Sequence, residues 1–208
     1  MLRLYHAPLA CSLGSRFALA ESGLTHEVKI VRTSRGEQNT EAYLRINPRG
    51  QVPALETDEG VLTESSAILP YIADLVPQKA LFPAPGTLAR AKAQAWLAYL
   101  SCSVHAALGG VLRPREGCDN ELAQRAALER IATLFKSLDT HLNGRDYVLD
   151  AFSVCDLYLA VYALWRGAPE FGGKLPAFPH VDRLQRKVLG RPALEGILGE
   201  ELRLRMEG

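Results

Sequence analysis

Leu2, Leu4 and Tyr5 open the chain as a short strand, and Leu13, Phe17, Leu19 and Ala20 then recur at helical spacing. The period changes across Tyr5-His6-Ala7-Pro8-Leu9-Ala10-Cys11-Ser12-Leu13, so a strand–turn–helix is expected there, with the helix over 11–22 and Gly23 as its stop. His26 to Val31 alternates and reads as a second strand. Thr33 to Asn39 is polar and loop-like. Glu41 to Ile46 reads as a short helix ended by the turn signature Asn47-Pro48-Arg49-Gly50. Gln51 to Glu56 reads as a third strand, with Pro53 near its start because proline has no N–H to give a ladder. Thr57-Asp58-Glu59-Gly60 is a hairpin turn, Val61-Leu62-Thr63 the returning strand, and Glu64-Ser65 opens a helix that ends near Leu75. A crossover first and a hairpin last predict a mixed four-stranded sheet with helices packed on it.

Pro77, Pro83, Pro85 and Gly86 then mark a stiff connector at a domain boundary. Beyond it the pattern is helical throughout. Thr87 caps a helix whose positions Leu88, Ala91, Ala95, Trp96, Tyr99 and Leu100 carry it to about Leu112, and Pro114 and Gly117 break it. A second long helix is expected over 121–142, ended by Asn143-Gly144. Ser153-Val154-Cys155-Asp156 has the form of a capping box. The helix it opens, to about Trp165, is apolar almost all round, as at the centre of a bundle. Two short helices are expected at 176–188 and 191–198. The division is therefore an α/β domain over 1–78 and an all-α domain over 87–208.

Composition narrows the partners. The 208 residues suffice for one large domain or two small ones, and a net charge of +1 argues against nucleic acid or an anionic membrane as partner. No apolar run approaches the roughly 20 residues of a membrane helix, and the N-terminus lacks the pattern of a signal peptide. Cys11, Cys102, Cys118 and Cys155 are scattered, without the spacing of a zinc site or a disulfide framework. Reduced thiols and a cytoplasmic location are the expectation, with no metal.

The candidate chemistry sits in the opening turn. Cys11 and Ser12 fall at or near the first turn of a helix, where unpaired N–H groups and about half a positive charge gather. A thiol there loses its proton more easily, and the same groups can hold an anion or a thiolate brought by a ligand. The hypothesis is a turn that grips a sulfur; the alternative is a small cysteine that merely packs. A cis Val52–Pro53 bond would leave the Val52 backbone free to pair with a peptide-like ligand. Glu64 and Ser65 are either plain caps or the holders of a ligand's ammonium and carboxylate. Asp156 reads as a folding determinant.

These segments resemble cytosolic glutathione transferases: Tyr5-x-Ala7-Pro8-x-Ala10-Cys11-Ser12-Leu13, then Asn47-Pro48-x-Gly50-x-Val52-Pro53-Ala54-Leu55, then Leu62-Thr63-Glu64-Ser65-x-Ala67-Ile68. The Ala-Cys-Ser-Leu turn is similar to that of the bacterial beta class, and Ser153-x-x-Asp156 matches the family's capping box. The resemblance implies a thioredoxin-like N-terminal domain, an all-helical C-terminal domain bearing the electrophile site, and a homodimer in the cytoplasm serving detoxification. It implies glutathione as cosubstrate. Val52, before a cis Pro53 and beside Gln51, would pair with the cysteinyl part, and Glu64 and Ser65 would hold the γ-glutamyl end. Cys11 would stand beside the glutathione sulfur, with Ser12 in a hydroxyl role. His105 matches the histidine that the beta class places near that sulfur, and Arg35 the basic residue that approaches the glycyl carboxylate.

Ala98, Cys102 and Ser103 stand where beta-class chains carry polar residues that reach across the dimer; Ser103 alone keeps a polar group able to serve there. Cys102, Cys118 and Cys155 are expected only to pack. The implied activity is attack of the glutathione thiolate on a hydrophobic electrophile. Glutathione-dependent thiol–disulfide exchange through Cys11, or non-catalytic binding of glutathione or a hydrophobe, are the other readings.

Overall fold

The computed structural model describes residues 1–113 and 120–207, so the expected break at Pro114 and Gly117 and the packing of Cys118 lie outside the described residues. The chain divides into two compact units, Met1–Ala84 with Gly190–Gly208, and Pro85–Leu189.

The first unit holds a four-stranded sheet ordered β2-β1-β3-β4. β1 (Leu2–His6) runs parallel to β2 (His26–Ile30) and antiparallel to β3 (Ala54–Thr57), and β4 (Gly60–Thr63) closes a hairpin with β3. Leu4 lies opposite Val28 on one side and Leu55 on the other. The mixed sheet matches the expectation from a crossover and a hairpin. α1 (Leu13–Ser22) packs against α3 (Ser65–Asp74), and Phe17, Leu19, Ile68, Leu69 and Ile72 are fully buried with Leu4 and Leu55. A short α2 (Glu41–Leu44) precedes β3, capped by the Thr40 hydroxyl.

Two boundaries move. β3 begins at Ala54 rather than Gln51: the Gln51 carbonyl is taken by the Tyr43 hydroxyl at 2.6 Å and the Asn47 amide at 2.7 Å, and Pro53 has no N–H to offer. α1 begins at Leu13, and Cys11 and Ser12 form the turn that leads into it.

The second unit is helical. α4 (Leu88–Tyr99) and α5 (Ala106–Leu112) are joined by a π-helical segment, Leu100–His105, where one unbroken helix was expected. Together they form a 25-residue helix, long and apolar enough by composition to cross a membrane, a test that core helices also pass. Ala93, Leu97, Leu100, Val104 and Leu108 bury one side of it. α7 (Val154–Trp165) packs against α4 and α8 (Pro179–Leu189), and α6 (Glu121–His141) packs against α5 and α8. Ten of the twelve α7 residues are buried, as its all-round apolar pattern predicts. The capping box forms: the Ser153 hydroxyl accepts from the backbone at the start of α7, and Asp156 accepts from the Ser153 N–H at 2.8 Å.

The chain end departs from expectation. A helix over 191–198 was expected inside the all-α domain. A 3-10 turn at Pro192–Leu194 is followed by α9 (Ile197–Met206), and both belong to the first unit. The reason is charge: Arg191 donates to Glu21 at 2.9 Å, and Glu200 and Glu201 accept from Arg16 on α1.

A candidate glutathione site at the entry to the first helix

Three successive turns carry the chain from β1 into α1. The Ala10 N–H bonds the Ala7 carbonyl at 3.1 Å, Leu13 bonds Ala10 at 3.0 Å, and Gly14 bonds Cys11 at 3.2 Å. Leu9 holds φ +56°, a conformation that L-residues adopt only when neighbours enforce it. The enforcing group is Glu201, whose carboxylate accepts the Leu9 N–H at 2.7 Å. The same carboxylate accepts from His6 Nε2 at 2.8 Å and from Arg16. His6 Nδ1 in turn meets the Ser12 hydroxyl at 2.7 Å, and that oxygen also accepts the Ala7 N–H at 3.2 Å. His6, Ser12 and Glu201 are all fully buried. Burial pushes the Glu201 carboxyl up, but the His6, Leu9 and Arg16 partners outweigh it and hold the group below the usual carboxylate range.

The Ser12 hydroxyl is thus committed to His6 and Ala7, inside the protein. Cys11 is buried at 8% exposure, and its Sγ lies 3.5 Å from the Val52 carbonyl. The Val52–Pro53 bond is cis. Neither the Val52 N–H nor the Ser12 N–H meets an acceptor among the described residues. Cys11, Ser12, Gln51, Val52 and Pro53 therefore meet in one place.

Glu64 and Ser65 lie at the start of α3. Glu64 takes φ +69° and leaves its side chain exposed, whereas Ser65 is buried. Glu64, at the N-cap position, makes no side-chain cap bond to the helix. Arg35 is exposed, and its Nη2 donates to the Glu207 carbonyl just beyond α9 at 2.8 Å.

Ser103 and His105 belong to the second unit, in the π-helical segment. The His105 ring packs 5.6 Å from Tyr162 and 5.2 Å edge-on from Trp165. Burial, then the charge of Arg113, push its pKa down, so it is a neutral imidazole near pH 7. Cys102 is exposed and Cys155 is buried; burial pushes the Cys155 thiol up, as suits a packing role. No cluster of metal-binding side chains occurs among the described residues.

His6, Arg16 and Glu201 escaped the sequence reading. His6 stands inside the motif but carries no spacing signal, and Glu201 lies 195 positions away from it.

A thioredoxin-like sheet with a cysteine at the entry to its first helix, followed by a helical unit, defines a class of thiol-handling proteins, and the comparisons name the family. Residues 1–74 match the family model "Glutathione S-transferase, N-terminal domain". Glutathione S-transferase GstA of Escherichia coli O157:H7 is 30% identical over 96% of this chain and 98% of that protein. A sphingomonad glutathione S-transferase solved in complex with glutathione is 37% identical, with a TM-score of 0.85 over 96% of this chain and 98% of its own. The beta-class enzyme of Sphingomonas chungbukensis is 32% identical, with a TM-score of 0.85 and the same coverage. The chain belongs to the glutathione S-transferase family and is similar to its bacterial beta class; it is a glutathione transferase.

Proposed function

We infer that the protein ionises the thiol of glutathione at the Cys11–Ser12 turn and presents it to a hydrophobic electrophile. The observation that carries this is the approach of Cys11 Sγ to the Val52 carbonyl, because it brings the helix-entry thiol and the peptide unit before Pro53 to one spot. The Val52 N–H and carbonyl suit the backbone of a cysteinyl residue, as an added strand would. Gln51 has its carbonyl held by Tyr43 and Asn47, which fixes the backbone that presents Val52. N–H groups at the α1 entry lower the cost of a thiolate. Ser12 holds the shape of that entry through His6.

Glu64 pairs with the ammonium of the γ-glutamyl end, and Ser65 with its carboxylate. Arg35 exchanges the Glu207 carbonyl for the glycyl carboxylate. Neutral His105 accepts the thiol proton, a task that suits an imidazole uncharged at neutral pH. Ser103 stands two residues before it as a further polar contact. The thiolate then attacks the electrophilic carbon, the leaving group departs with its electron pair, and a thioether remains. Holding both reactants together supplies the rest of the acceleration.

The exposed positions Ala91, Ala95, Ala98, Cys102, Ala106 and Gly110 form a face of small side chains along the long helix. A face that small and apolar supports a homodimer, since two helices can approach closely there. A cytoplasmic detoxifying role follows from the same reading, as does the absence of a metal.

Conjugation of glutathione to an aryl halide is the test. The expected rate exceeds that of free glutathione; loss of disulfide-reductase activity in Cys11→Ala with conjugation retained supports exchange through Cys11. Reductase activity untouched by that change excludes exchange through Cys11. A rate no faster than free glutathione, with retention on immobilised glutathione, turns the reading to a binding protein.

A further inference from the structure

Arg49 is the residue of the Asn47-Pro48-Arg49-Gly50 turn that the site so far leaves unused. Its Nη1 donates to the Thr63 hydroxyl at 3.1 Å and lies 3.9 Å from a Glu64 carboxylate oxygen. The turn beneath it is fastened. The Asn47 side-chain oxygen accepts the Arg49 N–H at 3.1 Å, and the Asn47 amide bonds Gln51. Gly50 holds φ +62°, and a Cβ there would meet the Asn39 side chain at 3.1 Å and the Gln38 carbonyl at 3.2 Å. The guanidinium therefore stands on a fixed backbone beside Thr63 and Glu64.

Both members of the Arg49–Glu64 pair are open to water, at 64% and 63% exposure. Such a pair contributes little to stability, so the fold does not need it. It does set a full positive and a full negative charge side by side at the start of α3. An α-amino-acid end carries the same two charges in the opposite sense.

We propose that Arg49 is a further ligand-binding residue, the cation that takes the α-carboxylate of the γ-glutamyl end while Glu64 takes its ammonium. This rests on the reading that the γ-glutamyl end lies at Glu64 and Ser65. Ser65 offers only a hydroxyl and partial charges, whereas Arg49 offers two donors in a fork that fits a carboxylate. The site then selects thiols that bear a zwitterionic α-amino-acid end over thiols that bear the ammonium alone.

The experiment compares KM for glutathione with KM for 4-aminobutyryl-cysteinylglycine, which keeps the ammonium and lacks the α-carboxylate. It uses the wild type, Arg49→Met and Ser65→Ala, each checked for an unchanged melting midpoint. The expected result is that Arg49→Met raises KM for glutathione about tenfold, the worth of a charge-assisted hydrogen bond, and leaves KM for the analogue nearly unchanged. An equal rise for both thiols means that Arg49 only shapes the turn, and no rise means that it does not reach the ligand; either overturns the proposal. The underlying placement fails separately. If the wild type treats the two thiols alike and Ser65→Ala changes neither, the γ-glutamyl end lies elsewhere.

Discussion

Glu201 and Asp156 are both fully buried carboxylates, one in each unit, and their surroundings are opposite. Glu201 faces the Arg16 guanidinium and His6 Nε2 as well as the Leu9 N–H. Asp156 faces only neutral donors: the Val148 N–H at 2.7 Å, the Ser153 N–H at 2.8 Å and the Ser153 hydroxyl at 3.1 Å. Burial raises both. In Glu201 the His6, Leu9 and Arg16 partners reverse the shift and hold the carboxyl low, while Asp156 is pushed up to about 6. Neutral hydrogen bonds soften desolvation without cancelling it; opposite charges cancel it. The paired acid spans the chain and shapes the turn before α1, and the other starts a helix from eight residues away at most.

The largest test of this contrast is Glu201→Ala. It removes the buried carboxylate shared by Arg16, His6 and the Leu9 N–H, leaving Arg16 with Glu200 alone, and unfolding in urea should show a loss of about 3 kcal/mol. Glutathione affinity should fall with it, because the Leu9 and Ser12 anchors loosen together. Asp156→Ala should cost about 2 kcal/mol, the worth of a lost cap and an unmet buried N–H. Trp96 and Trp165 both lie in the second unit, so their fluorescence follows that unit's unfolding.

The pH dependence separates the two acids. Glu201 is more acidic folded than unfolded, so its contribution is present above the ordinary carboxylate value of about 4.3 and is lost as pH falls below it. Asp156 is less acidic folded, so its contribution is greatest below about 3.9 and is lost as pH rises through about 6. The stability gap between wild type and Glu201→Ala should therefore shrink below pH 4, and the gap to Asp156→Ala should be larger at pH 5 than at pH 7. Gaps that move together would break the contrast. The smallest effect is expected from Arg35→Ala. Arg35 is exposed and so is its bond to the Glu207 carbonyl, so stability should change by no more than about 0.5 kcal/mol, while KM for glutathione rises a few-fold.

Much of the site could be read from short stretches. The strand–turn–helix around Cys11, the proline after Val52, the Glu64–Ser65 start of α3 and the Ser153–Asp156 box each complete themselves within a few residues. The π-helical segment before His105 could not be read, because Leu100 to His105 keeps the same apolar spacing in either helix type. The place of α9 could not be read either. Its burial in the first unit depends on Arg16, and no local pattern names so distant a partner.

Local chemistry alone determined the order of strands and helices, the cysteine at a helix entry and the mixed sheet, since periodicity, proline and capping act between near neighbours. Only the folded chain decided which groups hold the Cys11 turn in shape. Leu9 keeps a left-handed backbone and Ser12 turns inward because a carboxylate from the far end of the chain is buried against them, and a contact over that separation exists only once the sheet and α9 have packed.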